Sequence, residues 1–136
     1  MLLLDTHAII WIGEGEPIEQ SARRAVEAAR SEGGVLVSPI SAWEIGLLVT
    51  KGRILTLAPT PAEWLARFLA QPGVREVPLT MRAALDSCFL PEPFHGDPAD
   101  RMLVATAREL AIPLLTRDRL ILAYAAETGA VKTIRC

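Results

Sequence analysis

Short apolar runs alternate along this chain with segments whose apolar positions recur at helical spacing. The runs at residues 1–4, 35–38, 74–77, 112–115 and 131–135 read as five strands. The first and fourth are the most apolar and are expected to be covered on both faces. Helical segments are expected over residues 21–30, 41–50, 64–69, 80–89, 98–110 and 120–127. Thr60-Pro61-Ala62-Glu63 supplies a cap, a first-turn proline and a capping-box glutamate ahead of Trp64, and Pro72-Gly73 ends that helix. Gly33-Gly34, Gly52 and Gly129 close others. Strand and helix alternate from end to end, which predicts an α/β fold with helices packed on a mostly parallel sheet.

Against that pattern, four acids stand where an apolar run gives way to a helix start. Asp5 follows Met1-Leu2-Leu3-Leu4, and Glu44 follows Val35-Leu36-Val37 and Ser41. Asp100 lies in Asp97-Pro98-Ala99-Asp100-Arg101, and Asp118 follows Leu114-Leu115-Thr116-Arg117. Each has a local explanation: Ser41-x-x-Glu44 is a capping box, Asp97 an N-cap before Pro98, Asp100 a first-turn acid, and Asp118 a cap. Together they suggest more, because strand ends in a parallel α/β sheet share one edge, where ligands bind at the switch point of strand order. Carboxylates gathered there would repel unless a cation stood between them. An all-oxygen donor set suits Mg²⁺ or Mn²⁺, and phosphodiester hydrolysis is the chemistry such ions serve.

Composition narrows the field. At 136 residues the chain is expected to be one domain, residues 1–136, with no apolar run near the roughly 18 residues that span a bilayer. With an apolar run starting at Met1 and no charged leader, a cytoplasmic location is expected. Cys88 and Cys136 lack metal-ligand spacing and are expected to be free thiols. The net charge of −2 excludes a generally basic nucleic-acid binder, although twelve of the fourteen cations are Arg, the side chain suited to bidentate phosphate contact. Lys51, Arg53, Arg101, Arg117 and Arg119 lie in or near the acid-bearing segments and are candidates for backbone contact with a nucleic acid; the alternative for Arg101 is an ion pair. Trp11, Trp43 and Trp64 fit helix faces turned to the core or to a subunit interface. His95 reads as a structural or exposed loop residue.

Four blocks, Leu4-Asp5-Thr6-His7-Ala8, Ser38-x-x-Ser41-x-Trp43-Glu44-Ile45 with Lys51-Gly52 beyond it, His95-Gly96-Asp97-Pro98-Ala99-Asp100-Arg101-Met102-Leu103, and Thr116-Arg117-Asp118, come in an order and spacing that resembles the VapC-type PIN-domain ribonucleases, the toxin half of prokaryotic type II toxin–antitoxin pairs. The match runs over nearly the whole chain; Ala99, where relatives often carry Phe, is its small departure. The resemblance implies a three-layer α/β/α domain with strand order 3-2-1-4-5 and a metal site of Asp5, Glu44, Asp100 and Asp118. It further implies Mg²⁺- or Mn²⁺-dependent cleavage of RNA, a homodimer and a VapB-like antitoxin as partner. Thr6, Ser41, Asp97 and Thr116 are candidates to hold the acids by hydrogen bonds. Two other functions compete. A haloacid-dehalogenase-type phosphatase also carries an Asp after its first strand, but would want a second Asp where His7 stands. A receiver-like or inactive PIN module would bind without cleaving, which retention of all four acids opposes.

Overall fold

The computed structural model describes residues 1–54 and 59–136. Strands β1 (Leu2–Leu4), β2 (Val35–Val37), β3 (Val74–Glu76), β4 (Leu114–Thr116) and β5 (Thr133–Arg135) form one sheet in the order β3-β2-β1-β4-β5. All four pairings are parallel, with Leu3 opposite Leu36 on one side and Leu114 on the other. The sheet is thus wholly rather than mostly parallel, in the order the resemblance implies. Helices α1 (Thr6–Gly13), α2 (Gln20–Ser31), α3 (Pro39–Thr50), α4 (Pro61–Leu69), α5 (Met81–Asp86), α6 (Pro98–Leu110) and α7 (Arg119–Thr128) connect the strands.

The two-residue period of a strand sorts the core into two halves. Leu2, Leu4, Val35, Val37 and Leu115 pack into one cluster with Ile9 of α1, Val26 of α2, Ile45 of α3 and Phe68 of α4. Leu3, Leu36 and Leu114 face the other way, onto Leu103 and Val104 of α6 and Ile121 and Tyr124 of α7. Every residue of β1, β2 and β4 is buried, as expected of central parallel strands between two helical layers. The outer strands carry Arg75, Glu76 and Arg135 towards solvent, which blunts the sheet edges. Gly73 enters β3 at φ +77°, and a Cβ there would meet the Arg30 carbonyl oxygen at 2.3 Å, so only glycine fits. Among the described residues no helix is long and apolar enough to cross a membrane. Both cysteines are free thiols.

Several elements differ from the pattern-based expectation: one helix is additional to those expected, and others have different bounds. The segment Ala8-Ile9-Ile10-Trp11-Ile12 shows no period because it is continuously apolar, yet it forms the body of α1, capped by Asp5. The fourth strand begins at Leu114, not at residue 112, because Ala111 closes α6 in the left-handed conformation and Pro113 has no N–H to give. Helix α5 ends at Asp86 rather than at residue 89. The helix expected over residues 41–50 begins at Pro39 with Ser38 as its cap, so the capping box placed at Ser41 and Glu44 does not exist. Both residues lie inside α3, and that frees their side chains for another purpose.

Candidate active site

The sheet order has its reversal at β1, between β2 and β4, and the carboxyl ends of these strands open onto the acids. Asp5 follows β1 and is 6% exposed. Its Oδ1 accepts the Thr6 N–H at 2.6 Å and its Oδ2 accepts the Thr116 hydroxyl, from the end of β4, also at 2.6 Å. Thr116 Oγ1 in turn accepts the Asp118 N–H at 3.0 Å, so one buried hydroxyl ties the first and last acids together. Thr6 does the same across α1 and α3: its hydroxyl donates to Glu44 Oε1 and lies 3.0 Å from Ser41 Oγ. All three hydroxyls are buried beneath the carboxylates.

Asp5, Glu44 and Asp100 can present oxygens within 4.8 Å of one another, and so can Asp100 and Asp118 together with a nitrogen of His95. The cap expectations for Asp97 and Asp118 are met as well. Asp97 Oδ1 accepts the Asp100 N–H at 2.9 Å, and Asp118 Oδ1 accepts from Leu120 at 2.8 Å and Ile121 at 2.9 Å. Capping and clustering therefore coexist: α1, α6 and α7 start at one edge, each with an acid as its cap, and their positive ends partly offset the gathered charge.

That offset is incomplete. Burial, with repulsion from Asp5, Asp97, Asp118 and Glu44, pushes the Asp100 carboxyl from 3.8 up to about 8. Burial pushes Glu44 from 4.5 up to about 7, against the lowering effect of the Thr6 hydrogen bond. Burial also raises Asp5, opposed chiefly by the Thr116 hydrogen bond. Among the described residues no Lys or Arg nitrogen pairs with these carboxylates. Oxygen-rich, crowded and without a protein cation, the cluster fits a hard divalent ion. A cavity of about 330 Å³ lies at the far end of α6, lined by Ala107, Ala111, Gly129 and Lys132; no site carboxylate borders it, and its walls offer no comparable chemistry.

The cationic candidates part company here. Arg101 turns inward: its Nε donates to the Ser87 carbonyl at 2.8 Å and its Nη1 to those of Phe94 and His95 at 3.3 and 3.2 Å, with Glu92 3.7 Å away. It clamps the segment before α6, and RNA contact does not fit that geometry. Arg117 donates to the Cys136 and Pro17 carbonyls and stacks over Trp11, its guanidinium carbon 4.0 Å from the ring centre, so it too is engaged within the fold. Lys51, Arg53 and Arg119 are exposed. Trp64 is buried in the core as expected and Trp43 is exposed. His95, read from sequence as a structural or exposed loop residue, has its Nε2 3.2 Å from Asp100 Oδ2. Its place two residues before the Asp97 cap was the available signal.

Comparison with known proteins agrees with this architecture. The family model described as PIN domain matches residues 2–130. The chain is 36% identical over 119 residues to Ribonuclease VapC22 of Mycobacterium tuberculosis, a match covering 87% of each protein. Among solved structures it resembles VapBC2 from Rickettsia felis bound to a DNA fragment from their promoter, with a TM-score of 0.71 at 14% identity, over 98% of this chain and 97% of that one. It also resembles DNA-bound VapBC from Salmonella typhimurium, with a TM-score of 0.65 at 18% identity, over 98% and 96% of the two chains. At such identities the structural likeness speaks for the fold.

Proposed function

The chain belongs to the PIN-domain family, and from that premise we propose that it is a Mg²⁺- or Mn²⁺-dependent endoribonuclease, the toxin of a VapBC-type pair acting in the cytoplasm. The observation that carries this reading is the convergence of Asp5, Glu44 and Asp100 within 4.8 Å, beside Asp118, with no Lys or Arg among the described residues paired to them. Asp5, Glu44, Asp100 and Asp118 are the residues that would hold the ion. When bound, it would lower the pKa of an attacking water and offset the charge on the leaving oxygen of a phosphodiester.

The chain's own contribution is arrangement. Asp5 is fixed on both oxygens by Thr6 and Thr116, and Glu44 is held by the Thr6 hydroxyl, so the acids need little reorganisation to receive a cation. Asp97 stays engaged with the Asp100 amide and is assigned a supporting role. The converging N-termini of α1, α6 and α7 favour an anionic backbone at this edge. Lys51, Arg53 and Arg119 remain the candidates for phosphate contact; Arg119 directly follows Asp118. A VapB-like antitoxin would inhibit most directly by placing a guanidinium among the carboxylates, where the ion would otherwise stand. Homodimer formation is supported by Met81, Leu85 and Phe89, exposed apolar side chains four residues apart. A chain of 136 residues with these elements also supports a single domain.

The test is RNA cleavage by purified protein. Cleavage is expected with Mg²⁺ or Mn²⁺ and is expected to stop on addition of EDTA. Cutting that persists at full rate in EDTA overturns the proposal.

A further inference from the structure

We infer that His95 is a positioning residue for the acid site: its Nε2–H orients the Asp100 carboxylate, and the imidazole stays outside the metal's ligand set. This rests on the reading of Asp100 as a metal ligand.

Two contacts fix the ring and a third holds its backbone. Its Nδ1 accepts the Asp97 backbone N–H at 3.3 Å. The imidazole and the Phe94 ring meet in a T-shaped contact, centroids 4.5 Å apart, and Phe94 stacks on Tyr124, whose hydroxyl donates to the Pro91 carbonyl at 2.8 Å. Its own carbonyl is gripped by Arg101. A segment without regular structure is thus pinned at several points around one imidazole, which a loop histidine with no task would not require.

The tautomer follows from the first contact. A ring nitrogen that accepts a backbone N–H carries no proton, so the neutral imidazole bears its hydrogen on Nε2. Nε2 is shut off from solvent and has no aligned hydrogen-bond partner, while Asp100 Oδ2 lies 3.2 Å away. A buried donor without an acceptor is costly, and one carboxylate oxygen is in reach. A turn of the Asp100 carboxyl would align the bond, as hydrogen bonds in ligand-free sites often tighten only on loading. The same hydrogen excludes Nε2 as a ligand. His95, Asp100 and Asp118 therefore do not make a second, nitrogen-bearing metal site despite their proximity. Occupying one Asp100 oxygen with a donor leaves the other for the ion, which is how outer hydrogen bonds orient a ligating carboxylate.

Mn²⁺ titrated calorimetrically into the full-length wild type, His95→Asn and His95→Gln separates the possibilities. Asn can still accept the Asp97 N–H near the backbone but is too short to reach Asp100, whereas Gln extends an amide N–H towards it. His95→Asn is expected to weaken Mn²⁺ binding about tenfold or more, and His95→Gln to recover most of that loss. Pulsed electron paramagnetic resonance on the Mn²⁺-loaded wild type is expected to show no directly coordinated nitrogen, a measurement that needs no variant to fold. Equal affinities for the two variants, or a nitrogen coupling of direct ligation, overturns the inference while leaving the metal reading intact. Wild type that binds no Mn²⁺ removes both.

Discussion

Asp5 and Asp100 point into the same pocket from opposite kinds of support. Asp5 extends the central strand, is almost wholly buried, and has each oxygen satisfied by a hydrogen bond from a neighbouring element. Asp100 lies in the first turn of α6, behind a segment held by Arg101, with its strongest neighbours either repelling it or, in His95, close without alignment. Both are raised by burial, but only Asp5 receives hydrogen bonds that oppose the shift. The strand side of the site is therefore preorganised by the fold itself, and the loop side is set by a few polar contacts that a cation would complete.

The largest expected effect comes from removing either charge. Asp5→Asn and Asp100→Asn should each reduce cleavage on the order of a thousandfold, the several kcal/mol that a positioned ion contributes. Stability of the metal-free protein should separate them. Asp100→Asn relieves repulsion at no cost in hydrogen bonds and should raise the melting temperature, whereas Asp5→Asn puts an amide NH₂ against the Thr116 hydroxyl and should gain less or lose. Mg²⁺ should raise the melting temperature of wild type by mass action and do so far less for either variant. Variants that retain cleavage and the wild-type response to Mg²⁺ would reduce these acids to helix caps.

A second test addresses the clamp. Arg101→Ala removes three hydrogen bonds from a charged donor to backbone carbonyls and should cost about 3 kcal/mol in denaturant unfolding, with weakened Mn²⁺ binding because His95 and Asp100 lose their footing. Arg117→Ala, on the strand side, also loses carbonyl contacts and a stack on Trp11, but Asp5 does not depend on it. It should therefore destabilise without altering metal affinity. If Arg117→Ala affects metal binding as much as Arg101→Ala does, the two halves of the site are not held independently.

The same division explains what was legible in the sequence. The alternating runs located all five strands, and the blocks around Asp5, Glu44, Asp100 and Asp118 reached the right edge, because strand period and helix caps are local signals. Their boundaries slipped where another signal was silent: α1 has no polar interruption, and Ser41 looks like a cap until Ser38, three residues earlier, takes that role. Of the roles of His95, Arg101 and Arg117 little was legible beyond the place of His95 before the Asp97 cap and the ion pair expected as the alternative for Arg101, which Glu92 supplies at 3.7 Å, since the rest depends on carbonyls or rings brought close only by the fold. Arg101 reaches Ser87 fourteen positions back, and Arg117 reaches Cys136 and Trp11. A cation within an acidic motif looks the same on paper whether it faces RNA or the protein's own backbone.

The smallest effect, and the one that measures the charge balance directly, is the pH dependence of the metal-free protein. Glu44 and Asp100 titrate near 7 and 8 in the folded state against ordinary values of 4.5 and 3.8. Between about pH 4 and 8 the native state therefore holds protons that the unfolded chain has released, and stability falls as pH rises through that window. The contribution is fully present below the unfolded values and is lost once both groups ionise. Because an ion must displace those protons, Mg²⁺ should stabilise the protein little at pH 6 and markedly more at pH 8.5. Melting curves at the two pH values, with and without Mg²⁺, measure this, and Asp100→Asn should flatten the metal-free slope relative to wild type. A metal-free protein that grows more stable from pH 6 to 8.5 would mean that the carboxylates are already ionised and paired, and the contrast between the two sides of the site would fail with it.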